Sequence, residues 1–241
     1  MYGMYGYGYG YGLDPTIILV LIGVALSLWA QGRVNSTFSR YSRVRSMTGM
    51  TGAEAARRLL NAQGIYDVTV QQIAGELTDH YDPRTKTVNL SQSVYGATSV
   101  AAIGVAAHEC GHAMQDNEGY APLRFRSALV PVVNFGSSLS WPLILLGLVF
   151  GGLGSPLVEI GILMFSLAVL FQLVTLPVEY NASARAVRLL DAQGILAGEE
   201  VNGTRKVLNA AALTYVAAAV TSILQLLRLI ILFGGRNRRD R

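Results

Sequence analysis

Residues 101–115 read AAIGVAAHECGHAMQ, and this stretch contains the motif His-Glu-x-x-His at positions 108–112. The surrounding residues are rich in Ala and Gly and predict a helix over 98–116. Because an α-helix turns by roughly 100° per residue, His108 and His112 lie about 40° apart on one face, one turn from each other. Their imidazoles can therefore reach a single Zn²⁺ as a pair.

Glu109 follows the first of these histidines and is placed to take a proton from a water on the metal, which makes it the candidate catalytic base. Cys110 points away from the histidines and is expected to pack rather than ligate. The alternative is a chance motif, with odds on the order of one in a thousand in a chain this poor in histidine. A buried histidine pair without metal would also need hydrogen-bond partners, which Ala, Val and Gly side chains do not supply.

A catalytic zinc usually takes three protein ligands and leaves one position open. Glu179 is the best candidate for the third, since it follows a pair of apolar segments that return the chain to the membrane face of His108 and His112. The alternative for Glu179 is a solvated residue at a helix start. Asp116 and Glu118 are closer in sequence but lie on the wrong turn of the helix.

His80 is the only other histidine. It either anchors its own turn or contacts the substrate or the transition state, and Tyr81 and Tyr95 are further candidates to stabilise an oxyanion. The single cysteine excludes an internal disulfide framework and a multi-cysteine zinc site.

The apolar content of the chain is divided among four segments. Hydrophobic residues make up 51% and charged residues 14%, against about 25% charged in soluble domains, which argues against an ordinary soluble enzyme and against disorder. A bilayer core needs about 20 apolar residues per helix. The sequence therefore predicts transmembrane helices over 13–32 and 210–233 and a transmembrane hairpin over 128–178, which a Gly-rich turn closes at 151–156. A buried soluble hairpin is the weaker interpretation of 128–178.

Basic residues set the expected orientation. The segment 31–127 holds ten Lys or Arg and 179–209 holds four, so both are predicted to face the cytoplasm of a multi-pass plasma-membrane protein. The fourth apolar segment carries a polar stripe at helical spacing. It either spans while facing the bundle or does not cross fully, and four full spans would place the basic tail at 234–241 outside. The residues of the stripe are Thr214, Thr221, Gln225 and Arg228.

The remaining sequence predicts a flexible Tyr/Gly tail over 1–12, a small cytoplasmic domain over 33–127 and a cytoplasmic helical segment over 179–209. Within the domain we expect a helix over 51–64, with a Thr51–Glu54 capping box and Gly64 at its C-terminus. A short strand is expected at 68–70, and a hairpin has arms at 79–81 and 86–90. The arm at 86–90 is either an edge that pairs with an extended substrate or an ordinary arm of the hairpin. The stretch 55–65 reappears in similar form at 185–195, which suggests similar packing demands or an old duplication.

These motifs resemble the YugP-type family of membrane-bound neutral zinc metallopeptidases. The resemblance covers most of the chain past the Tyr/Gly tail. It is carried by the Arg-rich stretch after the first span and by the runs at 51–54, 77–83, 90–91, 106–113 and 208–216. It implies a zincin-like metalloprotease fold in which the helix over 98–116 is the active-site helix. The expected fold class is thus a mainly α membrane protein with about four transmembrane helices and a small α+β zincin-like domain.

The chain is also similar, more distantly, to HtpX-type and prenyl-protein membrane proteases, which place a Glu ligand in a Glu-x-x-Ala-Asp pattern after a membrane hairpin. Here the pattern is Glu179-x-x-Ala182-Ser183. Ser183 stands where an Asp in those proteases would hydrogen-bond a zinc-binding histidine. The sequence therefore does not decide which residue supports the histidines here.

Two functions are compared. The first is a membrane-embedded, gluzincin-like zinc endopeptidase, in which Zn²⁺ polarises the scissile carbonyl and Glu109 transfers the proton to the leaving amine. Its substrates would be membrane proteins or unfolded segments. The second is a zinc-stabilised, non-proteolytic scaffold or adaptor, which a fourth protein ligand such as His80 would favour. Expected partners are the lipid bilayer, a protein or peptide substrate, and a membrane protein or a second copy of the chain. A nucleic-acid partner is not expected, because the basic residues lie at membrane borders.

Overall fold

The protein is mainly helical, with one small sheet. The computed structural model describes residues 14–152 and 155–234. Within these residues the elements are α1 (Ile17–Tyr41), α2 (Gly52–Ala62), β1 (Thr69–Ile73), β2 (His80–Asp82), β3 (Thr87–Ser91), α3 (Gln92–Tyr95), α4 (Val100–Asn117), α5 (Ala121–Gly151), α6 (Pro156–Ala192) and α7 (Glu199–Phe233).

Four helices, α1, α5, α6 and α7, are long and apolar enough to cross a membrane. In the bundle α5 packs on α6, α6 on α7 and α7 on α1. The prediction of a mainly α membrane protein with about four spanning helices and a small α+β region is confirmed. Each of the four runs through a predicted domain boundary without a break, so the boundaries at 32/33, 127/128, 178/179 and 209/210 stay predictions of where the bilayer ends. The tails at 1–12 and 235–241 and the turn residues 153–154 lie outside the described residues.

The polar stripe of α7 faces α1. Thr221 donates a hydrogen bond to the Gly23 carbonyl (Oγ1···O 3.2 Å), and Arg228 pairs with Asp14 (Nη2···Oδ2 3.4 Å). A Cβ on Gly23 would lie 2.8 Å from Cγ2 of Thr221, so the glycine allows the two helices to approach closely. Of the two interpretations of this stripe, the structure favours a helix that faces the bundle.

The sheet has the strand order β1-β3-β2. The hairpin is confirmed, with His80 opposite Asn89 and Asp82 opposite Thr87 in antiparallel register. On its other side β3 pairs in parallel with β1. The expectation that the strand at 86–90 is a free edge is therefore wrong, because both sides of β3 are occupied; the edge of the hairpin is β2.

The similar stretches at 55–65 and 185–195 end helices α2 and α6 in the same way. Gly64 and Gly194 both have positive φ (70° and 60°), and the following Ile65 and Ile195 donate backbone hydrogen bonds to Leu60 and Leu190. This is the Schellman arrangement, in which a left-handed glycine turns the chain and the next apolar side chain packs back. Both isoleucines are buried in the core around α4. The two stretches thus meet similar packing demands in the core around α4.

Candidate metal centre

The motif helix α4 lies at the centre of the small domain. The Ser99 side chain caps it by accepting a hydrogen bond from the Ala102 backbone (3.2 Å). α2, α6 and α7 all pack against it, and most of its residues are buried. The predicted helix over 98–116 is thus observed with bounds shifted by one or two residues. Because α4 is enclosed, the orientation of its histidines is determined by the neighbouring helices.

The structure brings His108, His112 and Glu179 together. Nε2 of His108 lies 3.2 Å and Nε2 of His112 lies 3.5 Å from the same oxygen, Oε2 of Glu179. One ligand atom from each of the three residues lies within 4.8 Å of the other two, so the three could hold a metal ion together. Ligand atoms about 2.0–2.1 Å from a tetrahedral zinc lie about 3.4 Å from one another. The two histidine–glutamate separations match that value.

Gly111, inside the motif, allows Glu179 to reach the histidines. A Cβ at this position would lie 2.6 Å from the backbone oxygen of Ala182, one turn after Glu179. No larger residue leaves room for α6 at this distance. The close packing at Gly111 was not predicted from the sequence, although a glycine in a helix interior is itself an indication of such packing.

Both imidazoles are oriented through their Nδ1 atoms. Nδ1 of His108 lies 3.1 Å from Oγ of Ser183, and Nδ1 of His112 lies 3.0 Å from Oε1 of Gln115. An amide oxygen only accepts hydrogen bonds, so Nδ1 of His112 is the donor, and Nε2 of the neutral ring keeps its lone pair for a metal. Ser183 is suited to the same task for His108.

Gln115 also joins α4 to α6. Its side chain is fully buried, and Nε2 donates to the Val178 carbonyl and to Oδ1 of Asn181, both at 2.9 Å. The i, i+3 spacing from His112 places the two on one helix face, so the sequence carried a signal for this contact that the analysis did not use.

Arg126 of α5 contacts the candidate ligand Glu179 from the other side. Its Nη1 lies 3.4 Å from Oε1 of Glu179, whose side chain is only 3% exposed. One carboxylate oxygen thus faces the two histidines and the other faces a guanidinium. This second partner fixes the orientation of the carboxylate, and the sequence analysis did not predict it.

The site attracts positive charge. Burial lowers the pKa of His112, but its hydrogen bond to the Glu179 carboxylate and the negative charges of Glu109 and Glu179 more than offset this, so that its pKa lies above the usual value. The same negative field would favour a bound cation. By contrast, burial raises the pKa of the Cys110 thiol, whose side chain is enclosed and hydrogen-bonds the Ala56 carbonyl. Cys110 packs in the core, as expected.

Two cavities meet at the three residues. The larger, of about 740 Å³, extends between the β2 turn and α5; the smaller, of about 290 Å³, extends between α1, α4 and α7. Both are lined by Asp79, His108, Glu109, Glu179 and Tyr215. Glu109 therefore borders the space beside the histidines. Tyr215 of α7, which the sequence analysis did not single out, lies beside the Glu179 carboxylate.

The other predicted residues lie outside the three-residue group. His80 lines the larger cavity, but Nδ1 donates to the Thr78 carbonyl (2.9 Å) and Nε2 accepts from Asn89 (3.2 Å). Tyr81 lines the same cavity, and its hydroxyl donates to Asp116 (2.8 Å). Tyr95 accepts a hydrogen bond from Arg57 and borders neither cavity.

The two rejected carboxylates have other partners. Asp116 pairs with Lys86 and Glu118 with Arg185, each at 2.6 Å. Neither belongs to the group around His108.

Comparison with known proteins agrees with this geometry. Residues 16–234 match the profile of a family described as "Putative neutral zinc metallopeptidase". A curated protein of Bacillus subtilis (strain 168), described as "Putative membrane protease YugP", is 50% identical over 222 residues, which cover 92% of this chain and 98% of that protein. No solved structure matches the chain.

Proposed function

The chain belongs to the family of neutral zinc metallopeptidases, and from this premise we propose that it is a membrane-embedded, gluzincin-like endopeptidase. The family makes it a multi-pass membrane peptidase with zinc as its cofactor. The proposal adds the roles of the residues: His108, His112 and Glu179 hold the zinc, and Glu109 is the general base. The observation that carries it is the convergence of two histidine Nε2 atoms and one carboxylate oxygen between two cavities.

The donor set fits zinc. Two neutral imidazoles and one carboxylate are a ligand set of catalytic zinc sites, which leave one position for water or substrate. When bound, zinc supplies a Lewis acid that polarises the scissile carbonyl and lowers the pKa of a water. The Nδ1 contacts of both histidines, to Ser183 and Gln115, supply the supporting hydrogen bonds that such a site needs.

Glu109 performs the proton transfers in this proposal. Its carboxylate borders the space shared by the cavities, where it accepts the proton of the attacking water and passes it to the leaving amine. Glu179 is held by Arg126 and stays ionised as a ligand. The two carboxylates thus have different roles, because Glu179 belongs to the three-residue group with the histidines and Glu109 does not.

For the oxyanion we propose Tyr215 as a donor. Its side chain borders both cavities and hydrogen-bonds the candidate ligand Glu179, whereas His80 borders only the larger cavity and bonds within its own hairpin. We assign His80 to the first of its two expected roles, which is to anchor the hairpin.

Membrane proteins or unfolded segments close to the bilayer are the proposed substrates. α5 lines one side of the larger cavity with Arg126, Val130, Pro131 and Asn134. These residues extend from the start of α5 into its apolar part. A chain that enters this cavity therefore passes along the border of the membrane. The segments 33–127 and 179–209 face the cytoplasm in this proposal, because they carry the basic residues.

The test uses the purified full chain in detergent and an unfolded protein such as casein. Glu109→Gln is expected to keep its zinc, measured by elemental analysis, and to lose cleavage, measured by gel and mass spectrometry. Glu199→Gln, at an exposed site that lines neither cavity, is the matched control and should cleave normally. Cleavage by a zinc-loaded Glu109→Gln protein would contradict the mechanism.

The scaffold alternative expects a fourth protein ligand that closes the coordination sphere. Its candidate, His80, is bonded to Thr78 and Asn89 and is not part of the three-residue group. Hydrolysis is the better supported function.

A further inference from the structure

A basic groove lies on the side of the bundle where α1, α6 and α7 meet. It has a volume of about 690 Å³. Three cationic side chains line it, Arg33 and Arg40 of α1 and Lys206 of α7, and none of its lining residues is acidic. Hydroxyl and amide groups complete the polar wall: Ser36, Thr37, Tyr41, Tyr180 and Asn209. We call this the basic groove.

The cations of the basic groove have no acidic partner. Within the described part of the chain the side chains of Arg33 and Lys206 form no hydrogen bond or ion pair, and Arg40 only stacks over the Tyr41 ring at 5.6 Å. By contrast, Arg126 beside the metal centre is paired with Glu179. Three neighbouring positive charges repel one another. An anion in the groove would remove this repulsion.

The position of the groove along the helices indicates which anion. Arg33 and Arg40 follow the apolar part of α1, and Lys206 precedes the apolar part of α7. The helices are antiparallel neighbours, since Gly203 packs on Tyr41 and Gly23 on Thr221. The cations therefore lie together at the same end of the two apolar segments, which is the level of lipid headgroups.

The groove is also amphipathic. Ala210 and Leu213 line it on the side that continues into the apolar part of α7, at the level of Arg33, while Lys206 and Arg40 line the opposite, polar end. A ligand that fills it has a negative group at one end and an apolar chain at the other. A free anion would satisfy only the first of these two features.

We propose that the basic groove is a binding site for one anionic phospholipid, with its phosphate among Arg33, Arg40 and Lys206 and an acyl chain along Ala210 and Leu213. The site lies outside both cavities of the metal centre and does not depend on the proposed hydrolysis. Its occupant would hold α1 and α7 together at the membrane surface. Each Lys or Arg at a membrane border adds to the free energy of binding an anionic lipid. The contributions of the three cations should therefore add up.

The experiment compares lipid binding by the full chain and a triple variant, Arg33→Gln with Arg40→Gln and Lys206→Gln, in neutral detergent. Phosphatidylglycerol is titrated and the retained lipid is counted by native mass spectrometry. We expect one tightly held molecule on the parent protein and roughly hundredfold weaker binding to the variant, from the contribution of three juxtamembrane charges. The matched control changes three exposed arginines outside the groove, Arg43→Gln with Arg84→Gln and Arg124→Gln, and should bind like the parent.

Two further arms identify the ligand. Phosphatidylcholine with the same acyl chains should bind much more weakly, because its headgroup has no net charge. Inorganic phosphate at the same concentration should not displace phosphatidylglycerol, because it lacks the apolar part. Equal binding of the two lipids, displacement by phosphate, or a triple variant that binds like the control would each overturn the proposal. Thermal unfolding of both variants without lipid checks that the folds are equivalent.

Discussion

Gln115 is a single buried amide on which the geometry of the metal centre depends. Its Oε1 accepts from His112, and its Nε2 donates to two groups of α6. Gln115→Met keeps the size of the side chain but leaves all three partners without their bonds. We expect zinc affinity to fall roughly 10- to 100-fold, as when a ligand loses its supporting hydrogen bond. Competition with a chelator measures it. Gln72→Met, at an exposed site, is the control, and unchanged affinity in Gln115→Met would contradict the role.

Tyr215 provides a second test at the residue scale. If its hydroxyl stabilises the oxyanion, Tyr215→Phe should keep the zinc and lower kcat roughly 100-fold or more, the usual cost of a lost oxyanion donor. KM should change little, because the hydrogen bond forms mainly in the transition state. Steady-state kinetics on a cleaved peptide separates the two constants. Tyr66→Phe, with a side chain that is 79% exposed, is the matched control. A fall in zinc content instead of kcat would show that Tyr215 only positions Glu179.

The convergence of His108, His112 and Glu179 could be predicted, because the two histidines lie one turn apart on a helix and Glu179 follows the returning hairpin. The position of Glu109 follows from the same motif. Arg126 and Tyr215 could not be predicted, because they come from α5 and α7 and meet Glu179 only through the packing of three helices. A lone Arg or Tyr at a membrane border has many ordinary explanations.

At the scale of elements, Gly111 determines the distance between α4 and α6. An added methyl group would meet the Ala182 carbonyl at 2.6 Å, which is backbone and cannot rotate away. Gly111→Ala is expected to move α6 outwards, to destabilise the fold by about 1–3 kcal/mol as overpacking does and to weaken zinc binding. Unfolding in denaturant and zinc titration check both effects. Gly96→Ala, where nothing lies within 4 Å, should have neither effect; similar losses in both variants would argue against a specific contact.

Local signals also explain which elements were predictable. The capping box of α2 and the β2–β3 hairpin are determined by residues close in sequence, Thr51 with Glu54 and the turn at 82–85. The parallel pairing of β1 with β3 joins residues 18 apart, such as Val70 and Val88, and leaves no local pattern. The local pattern at 86–90 therefore does not distinguish an edge strand from one that is paired on both sides.

At the scale of the whole molecule, the order α5-α6-α7-α1 of the bundle places the metal centre at the end of the hairpin. α6 leaves the apolar region as one continuous helix and presents Glu179, Ser183 and the Asn181 contact of Gln115 within little more than one turn. The hydropathy pattern predicted that the chain returns to the same face of the membrane. It did not predict that one unbroken helix carries the candidate ligand Glu179, the histidine partner Ser183 and the closely packed Ala182.

The proposed orientation can be tested with introduced cysteines, because the natural Cys110 is fully buried and should not react. Met47, in the small domain, is 89% exposed, and Phe150, next to the hairpin turn, is 80% exposed. If the small domain is cytoplasmic, Met47→Cys in intact cells should resist a membrane-impermeant maleimide and react only after the membrane is opened. Phe150→Cys, at the opposite end of α5, should react in intact cells.

The two cysteine variants serve as controls for each other, since each reports on one face of the same membrane. The basic residues around Met47 predict this result, because 31–127 holds ten Lys or Arg and no Lys or Arg lies in the turn at 151–156. The reverse labelling pattern would place the metal centre outside the cell and would contradict cytoplasmic hydrolysis while leaving the zinc site intact. Labelling of both cysteines in intact cells would mean that α5 does not cross the bilayer, and the hairpin would then lie on the membrane surface.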